Sequence, residues 1–194
     1  MRPTLLCLHG WGGSSSSFNT LRTKLQETDV EFLAPDLPGF GDEPEPAEPW
    51  NVDDYGKWVM TWLKKNRTAK GGPLLLLGHS HGGRIALKLV ADKTLEPDHL
   101  YLCAPAINRH HRYRLRRKVG LTLAKTGKAV LKLPVLSVLA PLGKTALYKL
   151  MRVHDYEKAS PLMQKTLVLV TQEDVSLLAP RINVATDIFS LLIA

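Results

Sequence analysis

The stretch Leu74-Leu75-Leu76-Leu77-Gly78-His79-Ser80-His81-Gly82-Gly83 decides the fold of this chain. An apolar run leads into the pattern G-x-S-x-G, and a helical pattern follows over residues 84–90. This order predicts a buried strand, a sharp turn and a helix, with Ser80 at the apex. Gly78 and Gly82 fit such a turn because side chains there would collide with the strand and the helix. The serine would then be held in a strained conformation with its hydroxyl exposed at the end of the sheet.

Short apolar segments alternate with helical patterns through the first half of the chain. Because strands this short and this apolar are typical of a parallel sheet covered on both faces, we predict an α/β fold. The sheet would be small, mostly parallel and flanked by helices. The predicted strands are 4–8, 30–34, 74–77 and 99–103, and the predicted helices are 14–27, 51–65 and 82–93.

The pattern changes after residue 106. Residues 107–181 are mostly helical in pattern and strongly basic, and residues 182–194 return to an apolar, strand-like run. A sheet that is interrupted and then resumed suggests a helical cap inserted over a site. We therefore predict that residues 1–106 form the first part of the core, 107–181 a basic helical cap and 182–194 a return strand.

The excess of positive charge is confined to one segment. The 194 residues carry a net charge of +8, and the stretch from His99 to His154 holds twelve Lys or Arg and no acidic residue. A solvated cationic face of the cap, a lid on an anionic membrane and steering of an anionic substrate would each explain this segment. Nucleic-acid binding is not expected, because no base-reading motif accompanies the charge.

Length and residue usage restrict the class of protein further. A chain of 194 residues accommodates one domain, and it has neither an apolar run of membrane-spanning length nor an apolar N-terminus long enough for a signal peptide. Cys7 and Cys103 both lie in apolar, strand-like runs, which favours buried reduced thiols over a disulfide. These features predict a cytoplasmic protein.

Two more motifs follow the first two predicted strands. The turn His9-Gly10-Trp11-Gly12-Gly13 would leave backbone N–H groups pointing at an anion, as acyl transfer requires. The segment Asp36-Leu37-Pro38-Gly39-Phe40-Gly41 is a stiff turn anchored by an aspartate.

The order H-G-W-G, D-L-P-G-F-G and G-H-S-H-G-G closely resembles the α/β-hydrolase superfamily, in its cap-bearing esterase and carbon–carbon-bond hydrolase branch. The resemblance implies that Ser80 is the nucleophile and that the backbone N–H groups of Trp11 and His81 form the oxyanion hole. It implies no proton transfer by His9, and a structural role for Asp36. Serine at position 80, rather than the aspartate of members that attack alkyl halides or epoxides, favours acyl chemistry.

The acid and the histidine that complete the catalytic group in this superfamily follow the cap. The chain resembles a form truncated after the cap, so we expect any substitute base to come from within it. His79 and His81 flank the serine, but the turn directs their side chains away from its hydroxyl. The remaining candidates for the base are His110, His111 and His154, and the nearest acids by position, neither of them assigned, are Asp174 and Asp187.

The predicted function is hydrolysis of carboxylic esters of small or medium acyl groups through an acyl-enzyme, with no metal and no organic cofactor. The alternatives are a carbon–carbon-bond hydrolase or thioesterase that uses the same serine, and a truncated, non-catalytic binding module. The expected partners are a small-molecule ester and, through the basic cap, an anionic membrane surface. Residues 188–194 would form an exposed apolar edge strand, which predicts a homodimer or aggregation through that edge.

Overall fold

One parallel sheet organises the chain. The structure is a computed structural model that describes residues 1–107 and 159–189. Its strands are hydrogen-bonded in the order β2-β1-β3-β4-β5, and every neighbouring pair is parallel. This architecture confirms the predicted α/β fold with a small parallel sheet. The strand bounds are β1 Thr4–Leu8, β2 Glu31–Leu33, β3 Leu74–His79, β4 His99–Cys103 and β5 Ala185–Phe189.

Four α-helices flank the sheet in the described part of the chain. They are α1 Asn19–Leu25, α2 Val52–Asn66, α3 His81–Ala91 and α4 Pro161–Gln172. Two 3-10 helices, Ser15–Phe18 and Val175–Arg181, precede α1 and β5 respectively. Among the described helices, none combines the length and the apolar character needed to cross a bilayer.

Local capping explains where α2 and α4 begin. The Asn51 side chain accepts a hydrogen bond from the Asp54 N–H at 3.1 Å, and acidic residues in the first turn of α2 complement the helix dipole. Ser160 caps α4 in the same way, accepting from the Met163 N–H at 3.1 Å, and Pro161 stands at the first helical position. Asn51, the first residue of the predicted helix 51–65, is therefore the cap of α2.

The two faces of the sheet bury different sets of side chains. One face packs on α2 and α3 through the larger core, which includes the fully buried Leu6, Leu76 and Ile85. Alternate strand residues such as Leu5 and Cys7 point to the other face, where they pack near α1. Each fully buried leucine contributes about 1.5–3 kcal/mol of hydrophobic free energy. The sheet is thus fixed mainly by its α2–α3 face.

Both cysteines are free thiols, as the sequence predicts. Cys7 is buried and Cys103 is half-buried, and neither forms a disulfide. Burial raises the pKa of the Cys7 thiol to about 12, with the neighbouring Cys103 adding to the shift. A thiol that holds its proton so firmly is a poor nucleophile at neutral pH.

The end of the predicted cap rests on the core. The predicted cap residues 108–158 lie outside the described residues, whereas α4 packs over the loop that follows β2. The Trp50 N–H donates to the Thr166 hydroxyl at 3.2 Å, and a β-carbon at Gly39 would fall 2.5 Å from the Met163 sulfur. Gly39 also has φ +85°, so a side chain there would be strained as well as obstructed.

The return strand begins later than the predicted start at residue 182. Residues up to Arg181 form a 3-10 helix that contains Pro180, and the strand begins at Ala185 and is described as far as Phe189. Residues 190–194 lie outside the described part of the chain. Among the described strands β5 lies at the border of the sheet, beside β4, and Ile188 and Phe189 are 60% and 57% exposed. This arrangement agrees with the predicted exposed edge.

Candidate active site

Ser80 occupies a strained turn between β3 and α3. Its backbone has φ +51° and ψ −107°, a conformation that non-glycine residues rarely adopt. The Ser80 N–H donates to the Cys103 carbonyl at 3.0 Å, and the Ser80 carbonyl accepts from the N–H groups of Arg84 at 3.2 Å and Ala106 at 3.0 Å. The strain persists because hydrogen bonds hold the peptide groups on both sides of the residue.

The glycines on either side of Ser80 are required by close backbone packing. A β-carbon at Gly78 would lie 2.5 Å from the Gly83 α-carbon, and one at Gly82 would collide with the Leu8 carbonyl oxygen. Any side chain at either position would push the strand and the helix apart. The observed turn therefore matches the G-x-S-x-G prediction in both shape and cause.

The glycine-rich turn after β1 lies directly against the nucleophile turn. The Gly82 N–H donates to the His9 carbonyl at 3.0 Å, and the turn closes on itself through the Gly13 N–H and the Gly10 carbonyl at 3.0 Å. A β-carbon at Gly10 would lie 3.1 Å from the Ser80 β-carbon. The structure thus brings residues 9–13 and Ser80 together at the carboxyl ends of β1 and β3, where ligands bind in open α/β sheets.

The two predicted oxyanion donors stand next to this junction. His81 is the first residue of α3, where the helix offers no carbonyl of its own to the N–H groups and the helix dipole favours negative charge. Trp11 lies in the glycine-rich turn, and its ring contacts the His81 ring with centroids 5.5 Å apart. Both residues therefore lie beside the Ser80 turn.

His9 is a structural residue whose two ring nitrogens are both engaged. The ring is fully buried; Nδ1 is 2.8 Å from the Gly10 carbonyl oxygen, and Nε2 accepts from the Leu37 N–H at 2.9 Å. This pattern assigns the neutral tautomer with the proton on Nδ1. Burial lowers the pKa of His9, which keeps the ring neutral near pH 7. His9 therefore joins the turns after β1 and β2 and has no proton to exchange with substrate.

Asp36 holds the turn after β2. Its carboxylate accepts from the Ser15 N–H at 2.5 Å and from the Asp42 N–H at 2.9 Å, and a β-carbon at Gly41 would collide with it. Burial raises the pKa of Asp36, but these hydrogen bonds outweigh burial, so the pKa lies below its usual value. The structural role implied by the family resemblance agrees with these contacts.

The two histidines that flank Ser80 have different surroundings. His81 is only 4% exposed, and its ring packs between Trp11 and Tyr55, with the Tyr55 centroid 5.0 Å away. His79 is exposed, and its ring lies against Gly10. A β-carbon added at Gly10 would be 2.9 Å from the His79 Nδ1. Of the two, His79 is therefore the one with solvent access next to the glycine-rich turn. The candidate bases His110, His111 and His154 lie outside the described residues.

The two candidate acids serve other purposes. Asp174 caps the 3-10 helix before β5, accepting from the Ser176 N–H at 3.0 Å. The Asp187 carboxylate lies 3.0 Å from Nε2 of His99. His99 begins β4, whereas the Ser80 turn meets β4 at Cys103, four residues or about 13 Å further along the strand. This imidazole–carboxylate pair is therefore at the wrong end of the sheet to activate Ser80.

A series of aromatic rings in edge-to-face contact lines one side of the site. The sequence does not predict it, because its rings come from three separate parts of the chain, residues 9–11, 40–55 and 81, which only the fold brings together. Successive ring centroids are 4.9–5.7 Å apart, and Tyr55 also donates its hydroxyl to the Pro38 carbonyl at 3.1 Å. The series fixes the orientation of His81 and of the turns around it. In order, its rings are Trp50, Tyr55, His81, Trp11, Phe40 and His9.

Comparison with solved structures finds the same fold in an esterase and in MenH. An esterase, EaEST, from Exiguobacterium antarcticum superposes with a TM-score of 0.64 at 21% sequence identity, over 97% of this chain and 72% of that one. MenH from S. aureus superposes with a TM-score of 0.60 at 26% identity, over 97% of this chain and 74% of that one.

Comparison of sequences assigns the family. Lipase LipV from Mycobacterium tuberculosis is 31% identical over 103 residues, which cover 53% of this chain and 37% of that protein. The chain spans between 24% and 38% of the length of the curated relatives it matches. A family model described as the alpha/beta hydrolase family matches residues 5–186. The chain therefore belongs to the alpha/beta hydrolase family.

Proposed function

We propose that this chain is a serine hydrolase that cleaves carboxylic esters of small or medium acyl groups through an acyl-enzyme on Ser80. The observation that carries the proposal is the contact between the strained Ser80 turn and the glycine-rich turn at Gly10. A serine hydroxyl and backbone N–H donors on two adjoining turns are the arrangement that acyl transfer needs. The similarity to Lipase LipV supports ester chemistry in particular.

The proposed reaction has two steps. The Ser80 hydroxyl oxygen attacks the ester carbonyl carbon as a base takes its proton, and the negative charge that develops on the carbonyl oxygen is stabilised by the N–H groups of Trp11 and His81. Collapse of this intermediate breaks the ester C–O bond, and the alcohol departs with the proton. Water then attacks the acyl-Ser80 ester, the carboxylic acid leaves, and the serine hydroxyl is restored.

The proposed reaction also needs a base for Ser80. The described residues do not place a histidine with a carboxylate partner beside the Ser80 hydroxyl. Within residues 1–107 and 159–189, the His99–Asp187 pair is remote from Ser80 and the rings of His9 and His81 are buried. Within the given sequence, the candidates that remain are His110, His111 and His154, which lie outside the described residues. Without a base, the oxyanion hole and substrate binding alone would accelerate hydrolysis by roughly 10³–10⁴ over water.

A non-catalytic binding module is the second candidate. It is favoured by the position of the His99–Asp187 contact, which lies at the far end of the sheet from Ser80. Such a module would keep the Ser80 turn and the apolar site but would not form an acyl-enzyme.

Covalent labelling separates the two candidates. A fluorophosphonate probe reacts rapidly with an activated serine and leaves an ordinary hydroxyl unmodified. We expect labelling that Ser80→Ala abolishes and that Ser16→Ala, a change at an exposed serine close to the glycine-rich turn, leaves unchanged. Labelling that is absent in the unsubstituted chain, or that survives Ser80→Ala, would contradict the proposed hydrolase.

A further inference from the structure

We propose that Arg84 is a positioning residue for Ser80. It fixes Ala106, which is hydrogen-bonded to the Ser80 carbonyl, and joins the Ser80 turn to the segment that follows α4. The importance of this role for catalysis rests on the proposed function, but the contacts themselves do not. Arg84 belongs to α3 and stands four residues after Ser80. Its side chain is buried, at 2% exposure, which is unusual for a permanently charged group.

The guanidinium of Arg84 binds two main-chain carbonyls from distant parts of the chain. Nη2 donates to the Ala106 carbonyl at 2.6 Å, and Nη1 donates to the Glu173 carbonyl at 2.5 Å. A planar guanidinium carries its donors in a fixed fork, so one arginine can span two acceptors that a lysine ammonium cannot reach together. Arg84 therefore connects α3 to two segments at once.

The first of these segments supports the nucleophile directly. The Ala106 N–H donates to the Ser80 carbonyl at 3.0 Å, while the Ala106 carbonyl is bound by Arg84. The residue is thus held on both of its polar groups. The neighbouring Pro105 packs so closely on α3 that a β-carbon at Gly83 would lie 3.0 Å from the Pro105 β-carbon. Because the strained Ser80 conformation depends on its surroundings, loosening Ala106 would allow Ser80 to relax.

The second segment ties the return of the chain to the same helix. Glu173 follows α4, and its carboxylate binds the Lys88 ammonium, one turn beyond Arg84, at 2.5 Å. Lys88 also lies 3.1 Å from the Asp53 carboxylate. Arg84 therefore holds the main chain of Glu173, whereas Lys88 holds its side chain.

Ala106 precedes the predicted cap, residues 107–181, and Glu173 lies within its last part, which gives the Arg84 contacts a functional consequence. The residues between them extend from Ile107 to Gln172. With both of its ends bound by one guanidinium beside Ser80, this stretch is joined to the nucleophile turn at its base. A displacement at either end would then shift the Ser80 carbonyl, because Arg84 and Ala106 connect the two.

Amide hydrogen exchange tests the contact without relying on activity. In Arg84→Met, the Ala106 N–H should exchange at least about tenfold faster, as expected when a hydrogen bond from a charged donor is lost. Lys88→Met is the matched control, because it removes the neighbouring cation from Glu173 but leaves the main-chain contacts of Arg84. It should speed exchange around Glu173 and leave Ala106 protected. Unchanged protection of Ala106 in Arg84→Met would overturn the proposal.

Fluorophosphonate labelling of Ser80 tests the consequence. Per folded molecule, Arg84→Met should label about tenfold more slowly, because small displacements of a nucleophile have large effects on rate. Lys88→Met should change the rate less than about twofold, and an equal loss in both variants would reduce Arg84 to a general structural role and overturn the proposal. If the unsubstituted chain does not label, the proposed hydrolase fails, and the exchange experiment still decides the role of Arg84. If Arg84→Met does not fold, Arg84→Gln, which keeps one donor group, replaces it in both experiments.

Discussion

The α-carbon of Gly10 lies against Ser80, so that a β-carbon at Gly10 would be 3.1 Å from the Ser80 β-carbon and 2.9 Å from the His79 Nδ1. Gly10 begins the glycine-rich turn that carries the predicted oxyanion donor Trp11. The close approach means that the nucleophile and the turn cannot move independently. A single methyl group added at Gly10 should therefore disturb the site while leaving the fold intact.

Gly10→Ala should lower the rate of Ser80 labelling by about 10- to 100-fold, because the added methyl group displaces the glycine-rich turn from the nucleophile. The fold should survive, since the atoms nearest to the new methyl group belong to the side chains of His79 and Ser80 and not to the backbone. The control is Gly56→Ala in α2, where the nearest atom to the new methyl group is a methyl carbon of Leu89 at 3.3 Å, and it should leave the labelling rate unchanged. Labelling rates normalised to folded protein by circular dichroism measure the effect. Equal rates in the unsubstituted chain and Gly10→Ala would contradict the assigned contact.

Glu31 predicts how stability depends on pH. This buried carboxylate accepts hydrogen bonds from Thr68, Thr4 and Ala69, at the opposite end of the sheet from Ser80. Burial raises the pKa of Glu31, but the hydrogen bonds outweigh burial and lower the pKa to about 2. Since the folded pKa is depressed, the contribution of Glu31 is fully present above pH 4.5 and is lost as the pH falls from 4.5 towards 2.

Glu31→Gln should therefore reduce the free energy of unfolding by on the order of 2–3 kcal/mol at pH 7, and by progressively less below pH 4.5. Urea unfolding at pH 7, 4 and 3 measures this difference. Glu27→Gln, a change at an exposed carboxylate, is the control and should have little effect at any of these pH values. A destabilisation by Glu31→Gln that stays constant down to pH 3 would show that the carboxylate charge is not the cause.

The sequence patterns predicted the parts of the fold that depend on local chemistry. The buried strands are continuous apolar runs, and Gly78 and Gly82 are needed for steric reasons that the motif itself expresses. The predicted start of the second helix at residue 51 agrees with the Asn51 cap of α2. For the same reason the position of Ser80 at the apex of a turn could be predicted before the sheet was known.

Features that depend on long-range contacts could not be predicted in this way. Arg84 looks like an ordinary helical cation in the sequence, and only the folded chain brings Ala106 and Glu173 to its guanidinium. The pairing of His99 with Asp187 requires β4 and β5 to be neighbours in one register. No local pattern predicts the His99–Asp187 pair, because most of the second half of the chain lies between the two residues.

The exposed edge at β5 still predicts self-association. Ile188 and Phe189 are mostly exposed on a border strand, and unpaired strand edges with apolar side chains pair readily with other chains. We expect solution scattering to show dimers or larger species at high concentration, and Ile188→Lys to reduce them. A monodisperse monomer across the concentration series would count against association through this edge.

The basic segment predicts attraction to anionic lipid. Its twelve Lys and Arg side chains between His99 and His154 have no acidic residue among them, and each cation near an anionic surface adds about 1 kcal/mol of attraction. We expect flotation with vesicles that contain phosphatidylserine and not with neutral vesicles, and weaker flotation at high salt. Replacing Arg114, Arg116 and Arg117 by Gln should reduce it. Binding that does not depend on anionic lipid would remove the membrane as a partner.

The most direct test of the account is hydrolysis of p-nitrophenyl acetate and p-nitrophenyl butyrate by this chain beside its Ser80→Ala variant. The proposed acyl-enzyme predicts an initial burst of p-nitrophenol that matches the amount of folded protein, followed by slower turnover, and the loss of both in the variant. Equal, near-background rates for the two proteins would contradict catalysis by Ser80 and would leave the chain as a non-catalytic binding module with the fold of the hydrolases.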